Sequence, residues 1–277
     1  MNVYEIITSR IIEKLEQGTA PWTKPWTGGE MPRNFITGKV YRGINLFLLN
    51  MANYTSPYWL TFNQCKEKGG MVKSGQKATP IVYWNLKEYE DEETGDKKKA
   101  PLLRYYNVFN AEQCEGLNIP QLETAAREFA PIEVCMMTVA AMPNAPEIKH
   151  EQPKAFYVPS MDYVNMPKPE SFTSAEGYYS VLYHELTHAT GHMSRLNRPG
   201  ITKHNGFGSA DYGREELIAE MGAAFLCGFT GIENKTIDNS AAYVQGWIKA
   251  IKEDKKIVIT AAAAAQKAAD YILNNQQ

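Results

Sequence analysis

The chain has 277 residues, of which 44% are hydrophobic and 22% are charged, and its formal net charge is −2. This is the composition of a soluble globular chain, long enough for one large domain or two of ordinary size, and no apolar run reaches the length of a membrane span. The four cysteines have no Cys-x-x-Cys spacing and the N-terminus has no signal-peptide pattern, so we expect a cytoplasmic protein without a cysteine metal site.

The charge is unevenly distributed along the chain. Residues 1–87 carry 11 Lys and Arg against 5 Asp and Glu, whereas the remainder carries 18 against 26. A basic first part is typical of a nucleic-acid partner, but the net charge of a domain also scatters by several units without one. Both interpretations stay open on charge alone.

The first part of the chain alternates helical and strand patterns. An amphipathic segment is followed by PWTKPWTGG, which is too rich in Pro, Gly and Trp for regular structure. A charged stretch over 87–99 is typical of a hairpin tip or a solvated loop. The predicted elements are helices over residues 2–17, 44–49 and 61–68 and strands over residues 80–84 and 102–109.

The second part of the chain is mostly helical. The predicted elements are a connector and a helix within 110–130, short strands at 155–158 and 161–165, a helix from Thr173, and two closing helices over 239–252 and 257–274. We therefore predict an α+β fold, in which an α+β domain over 1–120 precedes a mostly helical domain with a small sheet over 121–277.

A group of histidines marks residues 183–192, YHELTHATGH, which hold three of the five histidines. Thr173-Ser174-Ala175-Glu176 fits a capping box, so the stretch lies on a helix. His184 and His188 then share one face of that helix, as two ligands of one zinc do, and Glu185 lies beside them to handle a metal-bound water. A solvated helix that happens to carry histidines is the alternative, but its neighbours are largely apolar, and buried histidines need partners.

A third ligand must come from elsewhere, because Ser194 stands where the pattern His-Glu-x-x-His-x-x-Gly-x-x-His would place a histidine. His192 lies past the expected helix end, so we predict that it supports the site without being a main ligand. Downstream, Glu216 and Glu220 share a helix face, and this resembles the gluzincin arrangement. We predict that Glu216 binds the metal and that Glu220 orients a ligand histidine, with the reverse assignment left open.

Longer stretches resemble a known family. Residues 155–198, the segment GREELIAEMGAAFLCGFTGI and the closing helices resemble the zincin-like metallopeptidase domain of ArdC-type antirestriction proteins. PWTKPWTGG, PRNFITGKVYRGINLFLL and RYYNVFNAEQCEGL resemble the family's N-terminal domain, which binds single-stranded DNA. The resemblance implies an antirestriction protein of conjugative plasmids or related mobile elements, with a DNA-binding domain over 1–120 and a zincin-like domain over 121–277.

Aromatic and basic side chains are interleaved in the first part, as a sequence-tolerant single-strand binder requires. We expect the tryptophans of the Pro-rich loop to stack on bases, whereas Trp84, on a predicted strand, is expected in the core. Arg42-Gly43-Ile44-Asn45 is expected to shape a loop or helix start beside this surface. The predicted DNA-binding residues are Trp22, Lys24, Trp26, Arg33, Lys39, Tyr41, Arg42 and Asn45.

Three functions stay open. The leading hypothesis joins a single-stranded-DNA-binding module to a metallopeptidase, in which zinc or another divalent transition metal is held by His184, His188 and Glu216, and Glu185 carries the proton. Tyr212 is the predicted oxyanion stabiliser, and an unknown protein or peptide substrate is expected along the strand at 161–165, as at a sheet edge. The rivals are a DNA-binding shield with a structural metal, and a plain cytosolic peptidase whose basic part recruits substrate.

Overall fold

The computed structural model describes residues 2–18, 20–22, 31–90, 97–120, 131–202, 210–232 and 241–275, with the side chains at 85–90, 97–102, 131, 210–212 and 241–244 left out. Within these residues the fold is α+β, as predicted: helices form most of the main core, two of the three sheets pack against it, and the third packs in a separate small cluster with Leu60 and Cys65. No helix in the described ranges has both the length and the apolar character needed to span a membrane.

The first part of the chain is built on a four-stranded sheet. Its helices are α1 (Val3–Glu16), α2 (Ile44–Asn50) and α3 (Phe62–Glu67), and its strands are β1 (Arg33–Asn34), β2 (Tyr58–Leu60), β3 (Met71–Val72), β4 (Thr79–Glu90), β5 (Lys97–Asn110) and β6 (Cys114–Glu115). The strand order is β1-β2-β5-β4, with β1 and β2 parallel and the other pairs antiparallel, and β3 pairs with β6 separately. The three predicted helices and two predicted strands are confirmed.

The strands β4 and β5 form a long antiparallel ribbon with two distinct faces. Residues that are paired directly lie on the same face, and neighbours along a strand alternate between faces. One face carries Ile81, Tyr83, Arg104 and Tyr106, and the opposite face carries Val82, Trp84, Leu103 and Tyr105. The second face is turned towards the helices, because Val82 is buried in the main core and Leu103 packs against it.

The second part of the chain is mostly helical, as predicted. Its helices are α4 (Pro131–Ala141), α5 (Ala175–Ala189), α6 (Pro199–Thr202), α7 (Ala210–Thr230), α8 (Ala241–Glu253) and α9 (Ile257–Ile272), and its strands are β7 (Glu147–Lys149), β8 (Phe156–Val158) and β9 (Tyr163–Asn165). The helix expected within 110–130 is not found over 111–120, which holds a 3-10 turn and β6, and residues 121–130 lie outside the described ranges.

The strand β9 lies at the centre of its sheet. It pairs with β7 in parallel on one side and with β8 in antiparallel on the other, so both sides of its backbone are occupied. An added peptide strand needs a free edge. The prediction that a substrate lies along this strand is therefore wrong, and β7 and β8 are the outer strands.

One continuous core joins the two predicted domains. It contains α1 residues Ile7, Ile11 and Leu15 together with buried residues of α2, α5, α7, α8 and α9. At the junction Phe47 of α2 stacks on Phe225 of α7, with ring centroids 4.8 Å apart. Trp22 is fully buried beside them and packs edge-on against Phe47 and against Trp247 of α8.

The helices α5 and α7 pack closely because glycine lies between them. A Cβ built on Gly222 of α7 would come within 2.5 Å of the Thr187 side chain of α5, closer than real Cβ contacts. Along α5 the N-cap is Ser174, whose Oγ accepts from Gly177 N at 3.1 Å, one residue later than the predicted capping box. The helix ends before Gly191, as predicted.

Candidate metal centre

Two histidines of α5 face each other across one helical turn. The Nε2 atoms of His184 and His188 lie 3.1 Å apart, and the ring planes make an angle of 77°. Both side chains are only 12–14% exposed. The spacing of four residues brings the two imidazoles together, as the sequence predicts.

A carboxylate of α7 completes the group. Glu216 Oε2 lies 3.6 Å from His184 Nε2, and Glu216 Oε1 lies 3.6 Å from His188 Nε2. One ligand atom from each of the three residues falls within 4.8 Å of the others. The close packing of α5 against α7 therefore brings a carboxylate to the two nitrogen atoms.

The geometry of these three residues fits a divalent transition metal. Nitrogen and oxygen ligands at about 2.0–2.2 Å around a tetrahedral ion are separated from each other by roughly 3.3–3.6 Å. The two nitrogen atoms lie 3.1 Å apart and each has a different oxygen of Glu216 at 3.6 Å, so the separations between nitrogen atoms and their nearest oxygen lie close to that range. Two imidazoles and one carboxylate are also a donor set that zinc and related ions accept, with a fourth position left for another ligand.

Each histidine is backed by a further acid on its other ring nitrogen. His184 Nδ1 lies 3.6 Å from Glu220 Oε1, and His188 Nδ1 lies 3.6 Å from Glu215 Oε1. Acids in these positions fix the ring orientation of metal-binding histidines. Glu220 therefore lies where an orienting residue belongs, on the far side of His184 from Glu216.

Sequence reasoning missed Glu215 and its partner Arg198. The buried guanidinium of Arg198 bonds both carboxylate oxygens of Glu215 and also donates to Thr187 O and to Thr190 Oγ1. These bonds tie the segment after α5 to both metal helices. A signal was available: two ligand histidines need two orienting groups, and the α7 segment offers one acid on either side of Glu216.

The site concentrates negative charge. Burial alone lowers the pKa of His184, but the nearby carboxylates of Glu216, Glu220 and Glu185 outweigh burial and raise this pKa to about 9. Burial raises the pKa of Glu220 to about 7. Burial likewise favours a higher pKa for Glu215, but its contact with His188 and its bonds with Arg198 hold that pKa below its usual range. A divalent cation would relieve the same excess of negative charge.

Glu185 belongs to this site, whereas His192 does not lie within it. Glu185 is buried, and its charge acts on both His184 and Glu220. His192 Nδ1 instead contacts Ser194 Oγ at 2.8 Å and lies 3.8 Å from Asp162, and His192 is not part of the group formed by His184, His188 and Glu216. Tyr212, the predicted oxyanion stabiliser, lies outside the described side chains.

The two tryptophan assignments of the first part are reversed in the structure. Trp22 is fully buried in the junction of the core, so its ring has no face for a base, and its predicted stacking role is wrong. Trp84, predicted to be a core residue, is 50% exposed, because it lines an open groove between the ribbon and α9. Lys24 and Trp26 lie outside the described residues.

The remaining predicted DNA-binding residues lie around β1 and the start of α2. Arg33 and Tyr41 are partly buried and Lys39 is exposed. Arg42 forms an ion pair with Asp270 of α9. Asn45 holds α2 against β4, because its side-chain amide donates to Val82 O at 2.8 Å and accepts from Val82 N at 2.6 Å. Their contact with DNA stays a prediction.

Comparisons with known proteins match both parts of the chain. The family model described as the N-terminal domain of anti-restriction factor ArdC matches residues 1–109, and the model described as zincin-like metallopeptidase matches residues 138–264. Two solved structures of the antirestriction ArdC protein from plasmid R388 cover 100% of this chain and are themselves covered fully. The metal-free structure has a TM-score of 0.81 at 40% identity, and the Mn(II)-bound structure has a TM-score of 0.79 at 38% identity.

Curated relatives differ widely in length. A protein named DNA primase TraC from Escherichia coli is 39% identical over 99% of this chain, but the match spans only 27% of that protein. A second protein of this name from the same organism is matched over only 20% of its length. The uncharacterized protein y4eC of Sinorhizobium fredii (strain NBRC 101917 / NGR234) is 30% identical, and this chain covers 91% of it. The chain thus spans about a quarter of the first relative's length and nearly all of the last.

Proposed function

This chain belongs to the ArdC antirestriction family, and from that premise we propose that it protects the incoming DNA of a mobile element from restriction in the cytoplasm. Two parts divide the work in this proposal: residues 1–120 bind single-stranded DNA, and residues 121–277 carry a metallopeptidase-like site. The observation that carries it is the convergence of His184, His188 and Glu216 beside the buried carboxylate of Glu185.

The metal is held, in this proposal, by His184, His188 and Glu216, with Glu220 and Glu215 orienting the two imidazoles. The distances between the three donor atoms support this assignment over the reverse one, because Glu220 faces Nδ1 of His184 rather than the two Nε2 atoms. Zinc is the leading candidate ion, and the Mn(II)-bound structure of the R388 relative supports a divalent ion in this proposal and makes Mn²⁺ the second candidate.

Glu185 is the proposed general base and acid. A divalent ion at the three ligands would supply Lewis acidity, which acidifies water and polarises a carbonyl group. The Glu185 carboxylate would accept the proton released by the attacking water and return it to the nitrogen of the leaving amine, because it lies next to ligand His184 in the chain and inside the same charged cluster. Tyr212 stays a proposed oxyanion stabiliser.

The DNA-binding part is supported by the N-terminal family match and by the basic character of residues 1–87. A structural-metal variant of the proposal also has support: Arg198, Glu215 and His188 form one buried network across two helices, so a metal there would also brace the fold. In that variant the protein shields DNA and cleaves no peptide.

Restriction of transferred DNA separates the two variants. We expect wild-type protein to lower restriction of an incoming plasmid, and Glu185→Gln to abolish the protection while still binding one equivalent of zinc, because the substitution removes proton transfer and leaves the ligands. Full protection by Glu185→Gln, together with loss of protection in His188→Ala, would instead establish the shield with a structural metal. The corresponding experiment in vitro measures how much DNA a purified restriction endonuclease cleaves in the presence of each variant.

A further inference from the structure

A groove of about 700 Å³ lies between the β4–β5 ribbon and α9. Its ribbon wall contains Trp84 and Leu103, which are paired across the two strands on the face turned towards the helices. Its α9 wall contains Ala263 and Ala264. The half-exposed indole thus lines the same groove as these two alanines and as Ile259, Thr260 and Lys267 of the same helix, and the groove is large enough to take a planar ring.

The charge of the groove favours an anion. Among the described residues that line it are Arg42, Arg198 and Lys267, and none is Asp or Glu, although acids outnumber bases in the chain as a whole. Arg42 and Arg198 are paired with Asp270 and Glu215. Lys267 is exposed and forms no ion pair with any residue in the described ranges, so its ammonium group is available to a ligand.

A planar aromatic ring beside a negative charge is the chemistry of a nucleotide. A protein that binds single strands without sequence preference stacks bases on aromatic side chains and follows the phosphates with cations. Paired bases in a duplex do not offer their faces, so a groove of this kind selects unpaired ones. Leu103 beside the indole adds an apolar surface that disfavours an inorganic anion alone.

We infer that this groove is a binding site for single-stranded DNA, in which a base stacks on Trp84 opposite Ala263 and Lys267 contacts an adjacent phosphate. The inference rests on the single-strand binding in the proposed function, and it assigns that binding to a site formed jointly by the first and second parts of the chain. It places the stacking tryptophan on the ribbon rather than in the Pro-rich loop.

Tyr83 supplies a matched control for Trp84. It is adjacent in sequence and 49% exposed against 50%, but it lies on the opposite face of the ribbon, where it packs edge-on with Tyr106. In full-length protein we expect Trp84→Ala to weaken binding of oligo(dT) by roughly 5- to 150-fold, the contribution of one stacked base, and Tyr83→Ala to change it less than about twofold. Fluorescence anisotropy of a labelled oligonucleotide measures both.

An abasic oligonucleotide of equal length tests stacking directly. Wild-type protein should bind it more weakly than oligo(dT), and Trp84→Ala should bind the two equally, because the variant has no ring on which a base can stack. Ala263→Leu, which narrows the groove from the other wall, should also weaken oligo(dT) binding. A plot of the logarithm of the binding constant against the logarithm of the salt concentration should become less steep in Lys267→Ala, by about 0.7 in slope for one lost phosphate contact. Lys66 is an exposed lysine on α3, and Lys66→Ala should leave this slope unchanged.

The outcomes distinguish this inference from the function on which it rests. If wild-type protein binds no single-stranded DNA, the proposed function fails first. If wild type binds and Trp84→Ala still discriminates oligo(dT) from the abasic strand as wild type does, the groove is not the stacking site. An equal loss of oligo(dT) affinity in Trp84→Ala and Tyr83→Ala would likewise contradict the assignment of stacking to this groove. Circular dichroism of each variant checks that its fold is retained.

Discussion

Glu216 contacts two histidines that each have a different acid near the other ring nitrogen, so in the proposed metal site three carboxylates of one helix would have three separate tasks. Glu216 reaches both Nε2 atoms, Glu220 reaches only His184 Nδ1, and Glu215 reaches His188 Nδ1 while bonded to Arg198. The position of each carboxylate along α7 decides which atom it reaches. Successive side chains of a helix point in directions that differ by about 100°, so chemically identical groups face different partners.

This division predicts a ranking of metal affinities. Glu216→Gln should lose most of the metal, because a ligand is removed, whereas Glu220→Gln should weaken binding by about 10- to 100-fold, because only the orientation of His184 suffers. Competition of Zn²⁺ and of Mn²⁺ with a chromophoric chelator measures both variants. Glu170→Gln, at an exposed position outside the site, is the control for the substitution itself. A larger loss in Glu220→Gln than in Glu216→Gln would reverse the assignment.

Spacing alone predicted contacts that are local in sequence, whereas the distant contact of Glu216 with the two histidines was predicted only through the resemblance to the gluzincin arrangement, and distant contacts without such a pattern were not predicted. The His184–His188 pair follows from helical spacing alone. Arg198 is 17 residues from Glu215, and no periodic pattern connects them. The exposure of Trp22 and Trp84 depends on whether distant helices cover them, so the Pro-rich neighbourhood of one and the strand position of the other misled the prediction.

At the scale of elements, the metal site depends on how closely α5 and α7 approach. Gly222 faces Thr187 at the contact, six residues beyond Glu216 along α7, and its missing side chain lets the helices meet. Helix periodicity predicted both helices but not the distance between them. That distance is set by the small residues at the contact of Gly222 with Thr187. Similarly, β1, β2, β3, β6 and β7 are only two or three residues long, too short to show an alternating pattern.

Gly222→Ala should therefore act on stability and on metal binding together. The added methyl would lie 2.5 Å from Thr187 Cγ2, so α7 must shift, and we expect a loss of about 1–3 kcal/mol in the free energy of unfolding together with weaker metal binding. Urea unfolding and chelator competition measure the two effects.

A control for this substitution lies in the same helix. A Cβ on Gly213 meets nothing within 4 Å, so Gly213→Ala should be neutral or stabilise the fold by up to about 1 kcal/mol. The double variant Gly222→Ala with Thr187→Ala removes the two closest contacts, with Thr187 Cγ2 and Oγ1, and should regain part of the metal affinity. If the double variant binds metal no better than Gly222→Ala alone, the close approach is not what sets the site.

At the scale of the whole molecule, the parts that the family models match separately share one core. Trp22, Phe47 and the apolar face of α1 come from the first part, and Phe225, Trp247 and much of α9 come from the second. Neither set could be recognised from sequence as an interface, because an apolar helix face is the same pattern whether it covers its own domain or another.

Trp22→Ala should consequently damage both parts at once. Removing a fully buried indole typically costs about 3–5 kcal/mol, so we expect a large fall in the free energy of unfolding, in a single transition that also abolishes metal and DNA binding. Urea titrations followed by far-ultraviolet circular dichroism and by metal release should coincide. Trp84→Ala is the contrast, with little loss of stability. Two separate transitions in wild-type protein would show that the parts fold independently.

The shared core has a consequence for inheritance. Recombination can move a domain between genes only if the domain remains folded after the cut, and a cut between these two parts would expose Phe47 and Phe225 to water on both sides. The two parts should therefore be transmitted as one block. The relatives agree with this expectation: within the much longer TraC proteins the match takes in 99% of this chain, so both parts occur there side by side.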